Sequence, residues 1–303
     1  MTVTPQLSEE VEAALRHGRP VVALETTLVS HGFPGAQGVQ VALAAEARVR
    51  RAGAVPATIG IMDGAVRAGL TPAELERFAS AGPEARKAGP RDLAACVVQG
   101  ALGATTVGGT LAVCRLAGIA FMATGGTGGV HRRFAESLDI SADLPQIART
   151  RALVVSSGVK SILDVPATAE LLETLGVPVL GWQTGTLPLF YGAAGGPPVS
   201  AVVTAAKEAA LIIAAHWQLN GSTGVLLARP PEPSLEIEPV IAEAVARVES
   251  QGVRGQSVTP AVLALVHELT GGRSAEVNRQ LIEDNAGLAA EVAVAYSAAA
   301  ADG

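Results

Sequence analysis

Lysine is scarce in this chain: of its 22 Lys and Arg residues only Lys87, Lys160 and Lys207 are lysine, and the other positive charges are arginine. Arginine stays protonated at any working pH, whereas a buried lysine can shed its proton and attack a carbonyl carbon to form an imine. Positions that have kept lysine are therefore enriched for work arginine cannot do. Lys160 follows the apolar run Ala152–Val155 and the small polar residues Ser156-Ser157-Gly158. This is the end of a predicted strand, where α/β proteins place their chemistry. Lys87 lies in a predicted loop bounded by Gly82-Pro83 and Gly89-Pro90. Lys207, in Ala-Ala-Lys-Glu-Ala-Ala, reads as a solvated step on an apolar helix.

Three further segments could join such a lysine. Glu25 closes the apolar strand Val21–Glu25. A desolvated carboxyl there has a raised pKa and can donate a proton near neutrality; the alternative is a glutamate bonded to nearby amides for stability. His31, six residues on, is by itself more often structural. Gly125–Gly129 follows another predicted strand, so its amides could receive a phosphate, helped by His131, Arg132 and Arg133. A plain turn would use the same glycines, and the spacing matches neither the dinucleotide nor the Walker pattern. Asp139 and Asp143 stand four apart. On one helical face they would offer oxygen ligands to a hard divalent cation; otherwise Ser141 or Asp143 caps a helix running to Arg149. There is no Cys/His cluster for zinc and no Gly-x-Ser-x-Gly elbow.

Positioning these groups requires a rigid frame, and the composition says which kind. Of the 303 residues 49% are hydrophobic but only 3% aromatic, so the core must be Ala, Val, Leu and Ile. Such packing suits parallel strands covered on both faces. Strands are predicted at Val21–Glu25, Ala57–Met62, Ile119–Thr124, Leu153–Ser157, Val177–Trp182 and Gly224–Ala228, alternating with helices. Asp63-Gly64 marks a hairpin. Thr71-Pro72-Ala73-Glu74 is a helix start with a cap, a proline and a returning glutamate. Ser200–Leu219 reads as one core helix, and Pro239–Glu249, Pro260–Leu269 and Ala275–Tyr296 as a helical C-terminal cover. The prediction is one α/β domain over residues 1–303, a three-layer α/β/α sandwich with a central, largely parallel sheet. The net charge of −6 and the lack of a basic stripe exclude a nucleic-acid backbone as partner. Cys96 and Cys114 fall in apolar helical stretches and read as buried free thiols, in keeping with a reducing cytosol. The stretch Met1–Pro5 has no signal-peptide pattern and no segment reads as a membrane span.

Taken together, the segments resemble the pseudouridine-5′-phosphate glycosidase, or indigoidine-synthase-A-like, family along nearly the whole chain. The matching stretches are Ala23–Thr27 with Ser30-His31-Gly32, Gly53–Ile59, Gly103–Val107, Ala123–Gly126 with Gly129–Arg132, Asp139–Leu144, Gly158–Asp164, Thr259-Pro260, Glu268–Gly272 and Asn285-Ala286. The resemblance implies reversible cleavage of the C–C glycosidic bond of pseudouridine 5′-phosphate to uracil and ribose 5-phosphate, with a divalent metal, typically Mn2+. By position it implies Lys160 as nucleophile, Glu25 as proton donor and Asp139 as metal ligand. It further implies Lys87, Val107, Ser141, Ala142 and Asp143 as substrate contacts, with Thr124, His131 and Asn285 beside them, and a cytoplasmic homotrimer. Departures occur at Gly89-Pro90, where Ser-Arg is expected, at Arg133, and at Trp182–Pro188; they bear on affinity more than on reaction type. Two other functions compete. A class I aldolase on a sugar phosphate would use the same lysine and loop, and a non-catalytic nucleotide-binding accessory protein would not need both a lysine nucleophile and an acid.

Overall fold

A computed structural model describes residues 3–221, 223–253 and 258–301, so Met1 and Thr2 of the N-terminal stretch lie outside it. Its strands are β1 (Gln6–Leu7), β2 (Val21–Glu25), β3 (Val55–Met62), β4 (Ala65–Ala68), β5 (Arg86–Ala88), β6 (Gly103–Thr105) and β7 (Phe121–Ala123). They continue with β8 (Val130–His131), β9 (Leu153–Ser156), β10 (Leu163–Asp164), β11 (Val179–Trp182), β12 (Ala201–Val203) and β13 (Val225–Ala228). The main sheet runs β1-β4-β3-β2-β7-β9-β13-β11-β12, with β6 pairing β3 and β5. From β3 to β12 every pairing on that path is parallel.

This is the expected three-layer sandwich. Every residue of β2, β9 and β13 is buried, as parallel strands with helices on both faces must be. The helices Ala36–Arg51, Ala206–Asn220 and Arg273–Ala301 pack together on one side, and Arg273–Ala301 lies along β2, β7 and β9. Val107–Ala117, Asp143–Ala148 and Val165–Thr174 form the other layer. Glu238–Ser250 and Val258–Leu269 precede the long last helix, giving the predicted helical cover. The small-residue core is sealed at the amino-terminal end of β7 by aromatic edges: Phe121 meets Trp217 and Tyr296 at centroid distances of 6.4 and 5.5 Å, and the Arg151 guanidinium sits 5.0 Å from the Trp217 ring.

Local signals held where their mechanism is local. Asp63 (φ 53) and Gly64 (φ 74) turn β3 into antiparallel β4, and Thr71 and Glu74 form a full capping box. Three expectations are corrected. Ser200–Leu219 is not one helix: Ala201–Val203 is an edge strand and the helix starts at Ala206. Lys87 is not in a loop but at the centre of β5, opposite Ala104 of β6. Asp139 and Asp143 do not share a helical face, because the helix begins at Asp143.

Candidate active site

The carboxyl ends of β2, β7 and β9 converge with β5 on one cleft, at the end of the sheet where open α/β folds bind ligands. Glu25, the last residue of β2, is 5% exposed. Both of its oxygens accept hydrogen bonds from threonine hydroxyls, Thr27 on one and Thr124, just past β7, on the other. A hydroxyl ladder fixes the neighbouring backbone: Thr26 and Thr105 each donate to the Ile59 carbonyl at 2.8 Å, and the Thr105 amide donates to Thr26 at 2.9 Å. Because Thr105 closes β6, the same ladder fixes β5 and thus Lys87.

Lys160 reaches the cleft through a tight turn after β9. Gly158 has φ +81, and a Cβ there would lie 2.1 Å from the Pro188 carbonyl oxygen, so only glycine fits. The Lys160 amide then donates to Thr127 at 3.1 Å. Glu25, Thr27, His31, Lys87, Thr124 and Lys160 all line the cleft, and Leu28, Phe33, Phe190, Pro260, Leu263 and Ile282 supply its apolar wall.

Charge ties the polar group together. Lys87 is held below the ordinary lysine range, first by burial and then by the ammonium of Lys160, against the opposing pull of Asp143, Glu25 and Asp139. His31 is pushed down by burial and then by Lys87. Burial also lowers His131, an effect opposed by Asp139 and reinforced by Lys87 and Lys160. Lys87 and Lys160 thus stand close together, with Glu25, Asp139 and Asp143 as the opposing charges, and an anion beside the two lysines would relieve their repulsion.

Several predicted residues surround the cleft instead of lining it. The two carboxylate oxygens of Asp143 accept the amides of Gly108 (2.7 Å) and Gly128 (2.9 Å), tying the helix that starts at Val107 to the glycine loop. Ser141 accepts the Asp143 amide at 3.2 Å, while Ala142 occupies the cap position. The glycine segment Gly125–Gly129 is divided: Gly125 and Gly126 line the cleft, while its second half is engaged within the fold. The segment is buried, and the Thr127 and Gly128 amides are spent on Gly158 and Asp143. Arg132 and Arg133 pair with Glu238 and Glu136. Asn285, fully buried, spends its amide on the Thr124 carbonyl (2.9 Å) and on Ser157 (3.1 Å), holding both strand ends together. At the departure Gly89-Pro90, the Gly89 amide donates to Asp92 at 3.0 Å.

Asp139 and His131 approach to 3.9 Å. Among the described residues no three metal-ligating side chains converge. One carboxylate with an imidazole beside it suits a hard ion that keeps most of its water and completes its shell with substrate oxygens, not one caged by protein.

The sequence reading missed Thr27, Phe190 and Asn278. Thr27, two residues from Glu25, was within reach of a local argument. Phe190 gave no signal: it is buried with φ +64, and its ring packs so closely on Gly126 that a Cβ there would come within 2.5 Å. A non-glycine residue in the left-handed region beside a cleft is the sort of strain that functional sites retain.

Residues 10–295 match the family described as indigoidine synthase A like protein. The chain belongs to that family. Two relatives carry the name pseudouridine-5′-phosphate glycosidase. The Chloroflexus aurantiacus protein is 48% identical, covering 96% of this chain and 98% of its own; the Escherichia coli protein is 46% identical, covering 96% and 95%. Among solved structures of similar proteins, the prealnumycin C-glycosynthase AlnA in complex with ribulose 5-phosphate superposes with a TM-score of 0.90 at 40% identity over the full length of both chains. An indigoidine synthase A-like protein from Thermotoga maritima gives 0.88 at 35% identity over 97% of each. The family thus accounts for the whole frame, including the helical cover that closes the cleft.

Proposed function

We propose that this chain is a pseudouridine-5′-phosphate glycosidase, cleaving the C–C bond between the base and C1′ to give uracil and ribose 5-phosphate. The observation that carries the reading is one cleft lined by an amine, a carboxyl and a second cation, Lys160, Glu25 and Lys87, in a chain whose relatives carry that name over 96% of its length.

A C-glycoside has no oxygen or nitrogen leaving group at C1′, so the two-carboxylate route of ordinary glycosidases is poorly suited to it. In this reading the ammonium of Lys160 passes a proton to the Glu25 carboxylate, and the resulting amine attacks C1′ while the C1′–O4′ bond breaks and Glu25 gives that proton to O4′. The new amine loses a proton, and its lone pair then forms a C1′=N bond as the electrons of the C1′–C5 bond pass to the base, which takes a proton at C5. Water hydrolyses the imine, releasing the aldehyde form of ribose 5-phosphate and restoring Lys160. Thr27 and Thr124 hold the orientation of the Glu25 carboxyl. Lys87 supplies charge for the phosphate, with Val107, Ser141, Ala142, Asp143 and His131 framing that side. Asn285 is here a positioning residue, acting through the Thr124 and Ser157 segments it bridges.

A divalent ion, manganese in this reading, would be held by Asp139 with water and would add positive charge for the substrate oxygens. The reading also carries a homotrimeric assembly and a cytoplasmic address. No helix among the described residues is long and apolar enough to cross a membrane.

The test is incubation with pseudouridine 5′-phosphate and Mn2+, with and without a chelator, followed by chromatography for uracil. Metal-dependent uracil release is expected. An aldolase would cleave sugar phosphates without releasing uracil, and a binding protein would release nothing; either result overturns the reading.

A further inference from the structure

The nucleophile of the proposed reaction stands on a turn, and an arginine expected to carry charge for a phosphate grips that turn instead. Arg132 follows β8, and β8 pairs antiparallel with β10, Leu163 opposite His131. This register brings the Arg132 side chain to the residues between β9 and β10. One guanidinium nitrogen, Nη2, donates to the Ser161 carbonyl at 2.8 Å and to Glu238, the first residue of the helix Glu238–Ser250, at 2.6 Å. Ser161 is the residue after Lys160.

On one side of the turn the Lys160 amide donates to the Thr127 carbonyl at 3.1 Å, and the Lys160 carbonyl accepts the Leu163 amide at 3.0 Å, a bond within the turn itself. On the other side Ser161 is 3% exposed, and its hydroxyl has no partner among the described residues. The guanidinium bond to its carbonyl is what ties this residue to the neighbouring strand, and the charge on the donor makes such a bond shorter and stronger than a neutral one. Glu238 fixes the guanidinium from behind. That ion pair is partly exposed, 31% for Arg132 and 56% for Glu238, and exposed pairs add little to stability, so stability does not explain it. Arg133, the next residue, also fastens this helix, pairing with Glu249 at 3.7 Å and with Glu136. Among the described residues it makes no bond to the Lys160 turn.

We propose that Arg132 is a positioning residue for Lys160, holding the turn that aims the amine at C1′ and coupling that turn through Glu238 to the helical cover. Attack on carbon needs the amine in near-attack geometry, and a misplacement of about 1 Å can cost about 100-fold in rate. A phosphate ligand would need a guanidinium that faces the cleft with its charge unmatched. Arg132 does not line the cleft, and Glu238 matches its charge. The inference rests on the glycosidase reading, through Lys160 as its nucleophile.

Arg132→Ala separates the two roles. Its kcat for pseudouridine 5′-phosphate is expected to fall about 10- to 100-fold with KM changed less than about twofold, and borohydride trapping of ribose 5-phosphate on Lys160 should slow by a similar factor. Arg132→Lys keeps the charge and can still donate to the carbonyl, so it should regain at least about threefold of the lost kcat. Arg133→Ala breaks ion pairs to the same helix without touching the turn and should stay within about twofold of the parent protein. Glu238→Ala, at an exposed position, asks the same question if Arg132→Ala does not fold: kcat should drop at least about twofold while KM holds. A raised KM at unchanged kcat, a loss of activity no larger than the loss of folded protein, trapping at the normal rate, or an equal loss in Arg133→Ala would overturn this inference alone. A parent protein that neither traps sugar nor releases uracil would defeat the glycosidase reading and this inference with it.

Discussion

The two ends of the central strands have been put to opposite uses. At the amino-terminal end of β7, Phe121, Trp217 and Tyr296 pack edge to face, and the Trp217 indole donates to the Thr223 carbonyl at 3.1 Å. At the other end, three residues along, Thr124 holds a buried carboxylate beside a cleft that contains two lysines. One end is apolar and satisfied. The other gathers charges that repel one another. Stability and chemistry are thus separated along one axis, so changes at one end should leave the other's property intact.

The sharpest break of that separation is Lys160→Arg. It keeps a positive charge and much of the volume but cannot form an imine, so turnover should fall by at least about 10⁴ while the unfolding midpoint stays near that of the parent protein. An active Lys160→Arg enzyme would remove the lysine from the chemistry. Glu25→Gln keeps the shape and removes the transferable proton, and turnover should drop by roughly 10²–10⁴ with little change in stability. Near-normal turnover would make Glu25 a structural carboxylate.

Trp217→Ala is the opposite experiment. It empties the aromatic seal and should cost about 3–5 kcal/mol of unfolding free energy, while kcat/KM of the folded fraction changes little. A large loss of activity at unchanged stability would show that the two ends are coupled.

A smaller effect concerns pH. His31, His131, His216 and His267 are all held below the ordinary histidine value of 6.5, burial being the first cause in each. Such a histidine takes up its proton more readily in the unfolded chain, so its contribution to stability is complete above about pH 6.5 and declines as pH falls below it. Glu46, raised by burial, works in the opposite direction. Four groups against one predict a lower urea midpoint at pH 5.5 than at pH 7.5; a higher one would contradict the burial of these imidazoles.

What could be read from the residues depended on whether the cause was local. The Thr71–Glu74 cap, the Asp63-Gly64 turn and the buried strand ending at Glu25 each follow from a few adjacent side chains, and each stands where expected. The strand Ala201–Val203 was swallowed by the apolar run that follows because Ala and Val fit either element, and only pairing with β11 decides it. Lys87 sits on a strand of three residues that exists through its pairing with β6. The C-terminal asparagines mark the same limit. Asn285 and Asn278 are both buried on one helix, but the sheet's carbonyls consume the first and leave the second facing the cleft, a distinction made by partners distant in sequence.

The most direct measurement is to add borohydride to the enzyme during turnover of pseudouridine 5′-phosphate and map the product by peptide mass spectrometry. A ribose-phosphate mass on the peptide containing Lys160, absent from Lys160→Arg, is the predicted result. An adduct on Lys87 instead, or uracil release with no adduct at all, would contradict the account.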